Sequence, residues 1–261
     1  MKPTMIFTTI IFAGVLGASA AHADDCKHRI LFVPQTHASI IGGSLQVSPD
    51  WFEQTAQSQF NIAKYLSQHK ELPVFSEQIS SDKSMQTVSD DFKKIIPPTV
   101  KNLFPHGLPA NYADLTMDQK TFLAKAGGDL LSLVLGQTPI LHRVVESDQV
   151  ENSLIGNVST WAQQHPTATE YPPEISDIIF TQRENLALDQ VNNYFASHPS
   201  QRDAILIFGS DHGASLHAHA DKFPSQCILT PFEFQSVNDS PYGRDNSYSN
   251  PYQQYQAPAT R

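Results

Sequence analysis

The run Ala204-Ile205-Leu206-Ile207-Phe208, closed by Gly209-Ser210-Asp211-His212, decides the fold. It has no polar face and is too short for a buried helix. A continuous apolar run with β-branched members, stopped by glycine, predicts a strand covered on both faces. Ile30-Leu31-Phe32-Val33, ahead of Pro34, has the same character near the start of the chain. Leu72-Pro73-Val74-Phe75, ending at Glu77, and Cys227-Ile228-Leu229 are shorter candidates.

Between these runs the spacing changes to that of helices. Phe52, Ala56, Phe60, Ala63 and Leu66 recur at three- and four-residue intervals, predicting a helix from Trp51 to about Gln68 that opens at Ser48-Pro49-Asp50, with Ser48 or Asp50 as cap. A Gly42-Gly43 loop precedes it. Further helices are expected over residues 83–95, 117–135, 148–164 and 181–196. Pro97-Pro98 is expected to break the chain between the first two of these. Residues 104–114 and Tyr171-Pro172-Pro173 read as loops. Apolar strands alternating with helices predict an α/β fold, a mostly parallel central sheet with helices on both faces. In such folds ligands bind at the C-terminal ends of the strands.

The chain has 261 residues, 40% of them apolar, enough for one domain with a sizeable core. Its formal net charge of −9 disfavours nucleic acid and anionic lipid as partners. Met1 to Ala23 has the form of a secretory signal: Lys2, a short apolar stretch, and the small-x-small site Ala21-His22-Ala23. An uncleaved anchor helix is the alternative, although the stretch is short for a membrane span. The expected mature protein is periplasmic or secreted, with no membrane span after cleavage. Its two cysteines, Cys26 and Cys227, would there form one disulfide, closing a loop of about 200 residues; free buried thiols are the alternative. The domain is expected over residues 24–235. Residues 236–261, rich in Tyr, Asn, Gln, Ser and Pro, cannot bury enough surface to fold alone and are read as a disordered tail, with a docking role as the alternative.

Three strand ends carry groups suited to chemistry. Pro34-Gln35-Thr36-His37 follows the first strand, Gly209-Ser210-Asp211-His212 the strongest one, and Glu77 a third. Histidine at a strand end can act as general base or, through a neutral ring nitrogen, as metal ligand. Two histidines and a carboxylate at one sheet edge suit hydrolysis, with or without a metal. Singly, each is more often structural: a loop-capping histidine, a solvated glutamate, and, for Arg183-Glu184, a charged first helical turn. His217 and His219 would form a metal pair on a strand, but the run 214–220 reads as helix, which separates them.

The order of these residues resembles the superfamily of Tiki metalloproteases, TraB proteins, erythromycin esterases and ChaN-like haem-binding proteins. The resemblance spans about Ile30 to Leu229. Gly209-Ser210-Asp211-His212 matches the second of the family's two Gly-x-x-His motifs, whereas the first has Pro34 in place of glycine. Glu77, Arg183-Glu184 and the glutamines Gln57 and Gln59 fall where the family has a glutamate, an arginine-acid pair and a glutamine-bearing helix. The resemblance implies His37, Glu77 and His212 as metal ligands or acid/base groups and Arg183 as an anion or oxyanion holder. Glu184 and Asp211 would support them from behind. It implies a small-molecule or peptide substrate, with a divalent transition metal as one candidate cofactor and haem, on the ChaN-like pattern, as the other. A haem or iron-compound binder, or a non-catalytic interaction module on the same fold, are the alternatives to a hydrolase.

Overall fold

The strand over Asp203–Gly209 sits at the centre of the sheet in the computed structural model. The structure describes residues 26–36, 40–41, 44–45, 49–145, 148–165, 171–220 and 226–234. The expected signal segment, the expected tail over residues 236–261, Gly42-Gly43, Ser48 and His37 lie outside the described residues.

In chain order the strands are β1 (His28–Gln35), β2 (Ile40–Ile41), β3 (Ser44–Leu45), β4 (Val74–Ser76), β5 (Lys83–Ser84), β6 (Ile140–Arg143), β7 (Asp203–Gly209) and β8 (Gln226–Leu229). The helices are α1 (Pro49–Gln68), α2 (Asp90–Leu103), α3 (Met117–Ala126), α4 (Gly128–Val134), α5 (Asp148–Gln164), α6 (Pro173–Ser176), α7 (Arg183–Ser197) and α8 (Gly213–Ala220). The main sheet has the order β5-β6-β4-β7-β1-β8. All its described pairings are parallel except β5 with β6. The α/β fold expected from the apolar runs is therefore what the chain adopts.

Strand alternation divides the core. Ile30, Phe32, Leu206 and Phe208 face α7, packing on Ala187, Leu188, Val191 and Phe195. Val33, Ile205 and Ile207 face the other way, onto Ile62 and Leu66 of α1 and Leu133 of α4. Arg29 and Asp203, opposite each other at the start of β1 and β7, fix the register with two hydrogen bonds of 2.5 and 2.6 Å.

Cys26 and Cys227 are bonded, with Cα atoms 5.8 Å apart at a sequence separation of 201. The bridge clips edge strand β8 to the start of β1. Reduction with dithiothreitol is expected to cost about 3 kcal/mol. Urea unfolding with and without reductant measures it, and coincident midpoints would refute it.

Several boundaries differ from the expectation. β1 runs through Pro34 to Gln35. Its β8 partner ends opposite Leu31, so among the described residues one flank of the strand has no partner at Pro34, a setting that tolerates proline. Pro97-Pro98 lies inside α2 rather than breaking the chain. Proline's fixed φ suits a helix, and the loss of two N–H donors is outweighed by tertiary packing of Ile96, Val100 and Leu103. Residues 83–84 form β5, and α2 begins only at Asp90, where the Ser89 hydroxyl accepts the Phe92 N–H. The expected helix 117–135 is two helices, split at Gly127 with φ of 87°. Asp50 lies in the first turn of α1 rather than capping it. Tyr171 and Pro172 precede α6, which starts at Pro173 and continues through a wider turn at Asp177–Gln182 into α7. β6 has no counterpart among the expected elements.

Candidate functional site

β4, β7 and β1 are neighbours in the sheet, so the segments that follow them emerge side by side at one edge. Glu77 follows β4, Gly209 to His212 closes β7, and Thr36 follows β1. The sheet order thus brings together strand ends that lie far apart in sequence.

Glu77 is held from two directions. Its Oε2 accepts the Gly209 backbone N–H at 2.7 Å, and its Oε1 accepts from Arg183 Nη2. The Arg183 guanidinium also lies over the Phe208 ring, 5.6 Å from its centroid. Arg183 arrives here because the wider turn at Asp177–Gln182 leads directly into α7. Such wide turns recur at functional sites, since they re-aim the side chains that follow.

His212 is buried between the Phe180 and Phe208 rings, 5.1 and 4.5 Å away. Its Nδ1 meets Glu184 Oε1 at 2.7 Å, and the Ser215 hydroxyl donates to the same oxygen at 2.5 Å. A carboxylate accepts, so Nδ1 donates, and in the neutral ring Nε2 is then the acceptor. A side chain built at Gly209 would lie 3.2 Å from His212 Cδ2, 3.8 Å from its Nε2 and 3.4 Å from Glu77 Oε2. The glycine therefore keeps open the gap that both functional groups border.

The chain after β1 is pinned at its root. The Thr36 N–H donates to Ser58 Oγ at 2.9 Å, and the Gln59 side chain donates to the Thr36 carbonyl at 2.8 Å. Gln59 Oε1 also accepts the Gly128 N–H at 2.8 Å. Gln57, the other glutamine of the expected pattern, bonds Asn61 within α1. His37 lies one residue beyond the described part of this segment. Asp211 is exposed and makes none of the site's hydrogen bonds. His217, on α8, meets Thr230 Oγ1 at 3.1 Å, and burial lowers its pKa. Among the described residues, no three His, Cys, Asp or Glu side chains converge as a metal would require.

Sequence reasoning missed Asp129. It is 2% exposed, and the Ser76 hydroxyl donates to its Oδ2 at 2.5 Å while the Leu130 N–H donates to Oδ1 at 2.7 Å. Ser76 Oγ in turn accepts the Gln78 N–H, so Asp129 fixes the turn that carries Glu77 from beneath. The available signal was a lone acid after Gly127-Gly128 inside an otherwise apolar run. Burial raises the Asp129 pKa above the ordinary 3.8, against the opposing Ser76 bond. A raised folded pKa gives stability at low pH that is lost as pH rises through the folded value. Asp129→Asn, which mimics the neutral acid, is expected to match the parent near pH 3.5 and to exceed it increasingly at higher pH. Urea midpoints across that range check this; a constant gap would refute it.

A separate surface cleft of about 510 Å³ lies between β6 and the C-terminal half of α7, lined by His142, Tyr194 and His198. It shares no residue with the Glu77–His212 site. Comparison with family models, curated proteins and solved structures finds no match for this chain. No helix among the described residues is long and apolar enough to cross a membrane.

Proposed function

We propose that this chain is an exported hydrolase of ester or amide bonds, with His212 activating water and Arg183 receiving the developing negative charge. The observation that carries the reading is the buried pair of Glu184 and His212. A carboxylate on Nδ1 orients the ring and stabilises the imidazolium that forms when Nε2 takes a proton. Nε2 borders the gap at Gly209, across from Glu77 and its partner Arg183. A carbonyl oxygen entering that gap would find a guanidinium nearby.

His37 is the second acid/base group in this reading. With Glu77 and His212 it would otherwise hold a divalent transition metal, since imidazoles and a carboxylate suit such ions and Glu184 would orient the ligand from behind. Against the metal version, Glu77 already serves Arg183 and the Gly209 N–H, so a cation would compete with a guanidinium. The metal-free version asks for no rearrangement. Kinship with the Tiki, TraB and ChaN-like superfamily is supported by the order of Glu77, Arg183-Glu184 and His212 along the chain. Haem binding rests on that resemblance alone, and a non-catalytic role on Pro34 standing where the family has glycine. Export is supported by the disulfide and the form of residues 1–23.

The test is hydrolysis of nitrophenyl esters and nitroanilides by the parent and His212→Ala, before and after dialysis against a chelator. Activity lost in the variant and kept after chelation is expected. Parental rates in His212→Ala would overturn the reading; loss on chelation restored by zinc would move it to the metal version.

A further inference from the structure

Gln35, the last residue of β1, is 1% exposed, yet neither its side-chain oxygen nor its nitrogen has a hydrogen-bond partner among the described residues. Buried amides are almost always paired, because each orphaned end forfeits its bond to water with no return. A chain that leaves both ends open holds them for something else.

Its position says what. Leu31 and Val33 pack on the α1 side of the sheet, and alternation places Gln35 on that same face. Gln35 pairs in register with Gly209, which follows Ile205 and Ile207 on the same face. Gly209 is the residue whose missing side chain leaves the gap facing Glu77 and His212. Gln35 and Gly209 are therefore backbone neighbours at the sheet edge where the hydrolase reading puts the reacting bond. Thr55 Oγ1, fully buried and also without a partner, lies on α1 one turn before Ser58 and Gln59, the residues that pin Thr36.

A carboxamide offers a donor and an acceptor side by side. Its complement is an acceptor and a donor side by side. The N–H and C=O of one residue in an extended peptide point to the same side and supply that pair. An ester in place of the amide has no N–H and would leave Gln35 Oε1 unpaired.

We infer that Gln35 selects amide over ester ligands at this site, by two-point pairing with the backbone of an extended peptide. The inference rests on the hydrolase reading for the site's role, but its recognition step can be measured without turnover.

Binding of a blocked dipeptide amide and of its depsipeptide analogue, one amide replaced by an ester, is titrated by NMR against the full chain and Gln35→Met. The parent is expected to prefer the amide by about ten- to hundredfold, the effect of one buried unpaired acceptor. Gln35→Met is expected to bring the ratio near one and to raise Tm, because two unpaired polar atoms leave the interior. No preference in the parent, a preference kept in Gln35→Met, or a lowered Tm would each overturn the assignment. Preference without turnover would sink the hydrolase reading and leave Gln35's role standing; turnover without preference would do the reverse.

Discussion

Replacing Glu77 by alanine is expected to remove about 3–5 kcal/mol of folding stability, the usual loss when one member of a buried charged pair is deleted. The Glu77 side chain is 8% exposed and that of Arg183 18%. Without Glu77 the guanidinium remains against the Phe208 ring with its counter-charge gone. The Gly209 N–H, at the end of the central strand, also loses its acceptor. Glu77→Gln is expected to cost less, because a neutral amide oxygen can still accept from Gly209. Urea unfolding of both variants checks the ranking. A loss below about 1 kcal/mol in Glu77→Ala would mean that Arg183 is at ease in solvent, and that Glu77 owes nothing to stability.

The second large effect is expected at Gly128. A Cβ there would sit 2.0 Å from the Gln59 carbonyl oxygen and 3.0 Å from the Ala63 nitrogen, both backbone atoms of α1. Ordinary overpacking costs ~1–3 kcal/mol because side chains give way; backbone cannot, so Gly128→Ala is expected to cost about 4 kcal/mol or more. Separating α1 from α4 would also pull Gln59 off Thr36, disturbing the root of the segment that leads to His37. Gly156→Ala is the control. It lies in α5 with nothing near its Cβ, and is expected to gain up to ~1 kcal/mol from helix propensity alone. Equal thermal shifts in the two variants would refute the packing argument.

The parts of the fold legible in the sequence are those where burial leaves a continuous mark. β7 is apolar on both faces because α7 covers one and α1 with α4 the other. β6 carried little such mark: only Ile140 and Leu141 are apolar before His142 and Arg143, and its antiparallel neighbour β5 is two residues long. Pro97-Pro98 misled because local preference was outvoted by the packing of α2's apolar face. Gly127-Gly128 gives little signal, because a glycine pair within a periodic run does not announce the contact that demands it. Placing chemistry at strand ends singles out Glu77 and His212, which the sheet order brings to one edge. It could not find Ser76, Asp129, Ser215 or Gln35, whose importance lies in which hydrogen bonds they make or lack across the sequence.

The sheet order has a consequence for how this molecule comes into being. Among the described residues β1 is the first strand to be made, but its sheet neighbours are β7 and β8, the last two. For most of synthesis β1 has no partner, and contacts this distant in sequence slow folding. The central pairing, with Gly209 beside Gln35, forms only when the final quarter of the chain arrives. A chain truncated before β7 cannot hold a partial site, and the Cys26–Cys227 bond, which spans the same interval, records that closure has occurred.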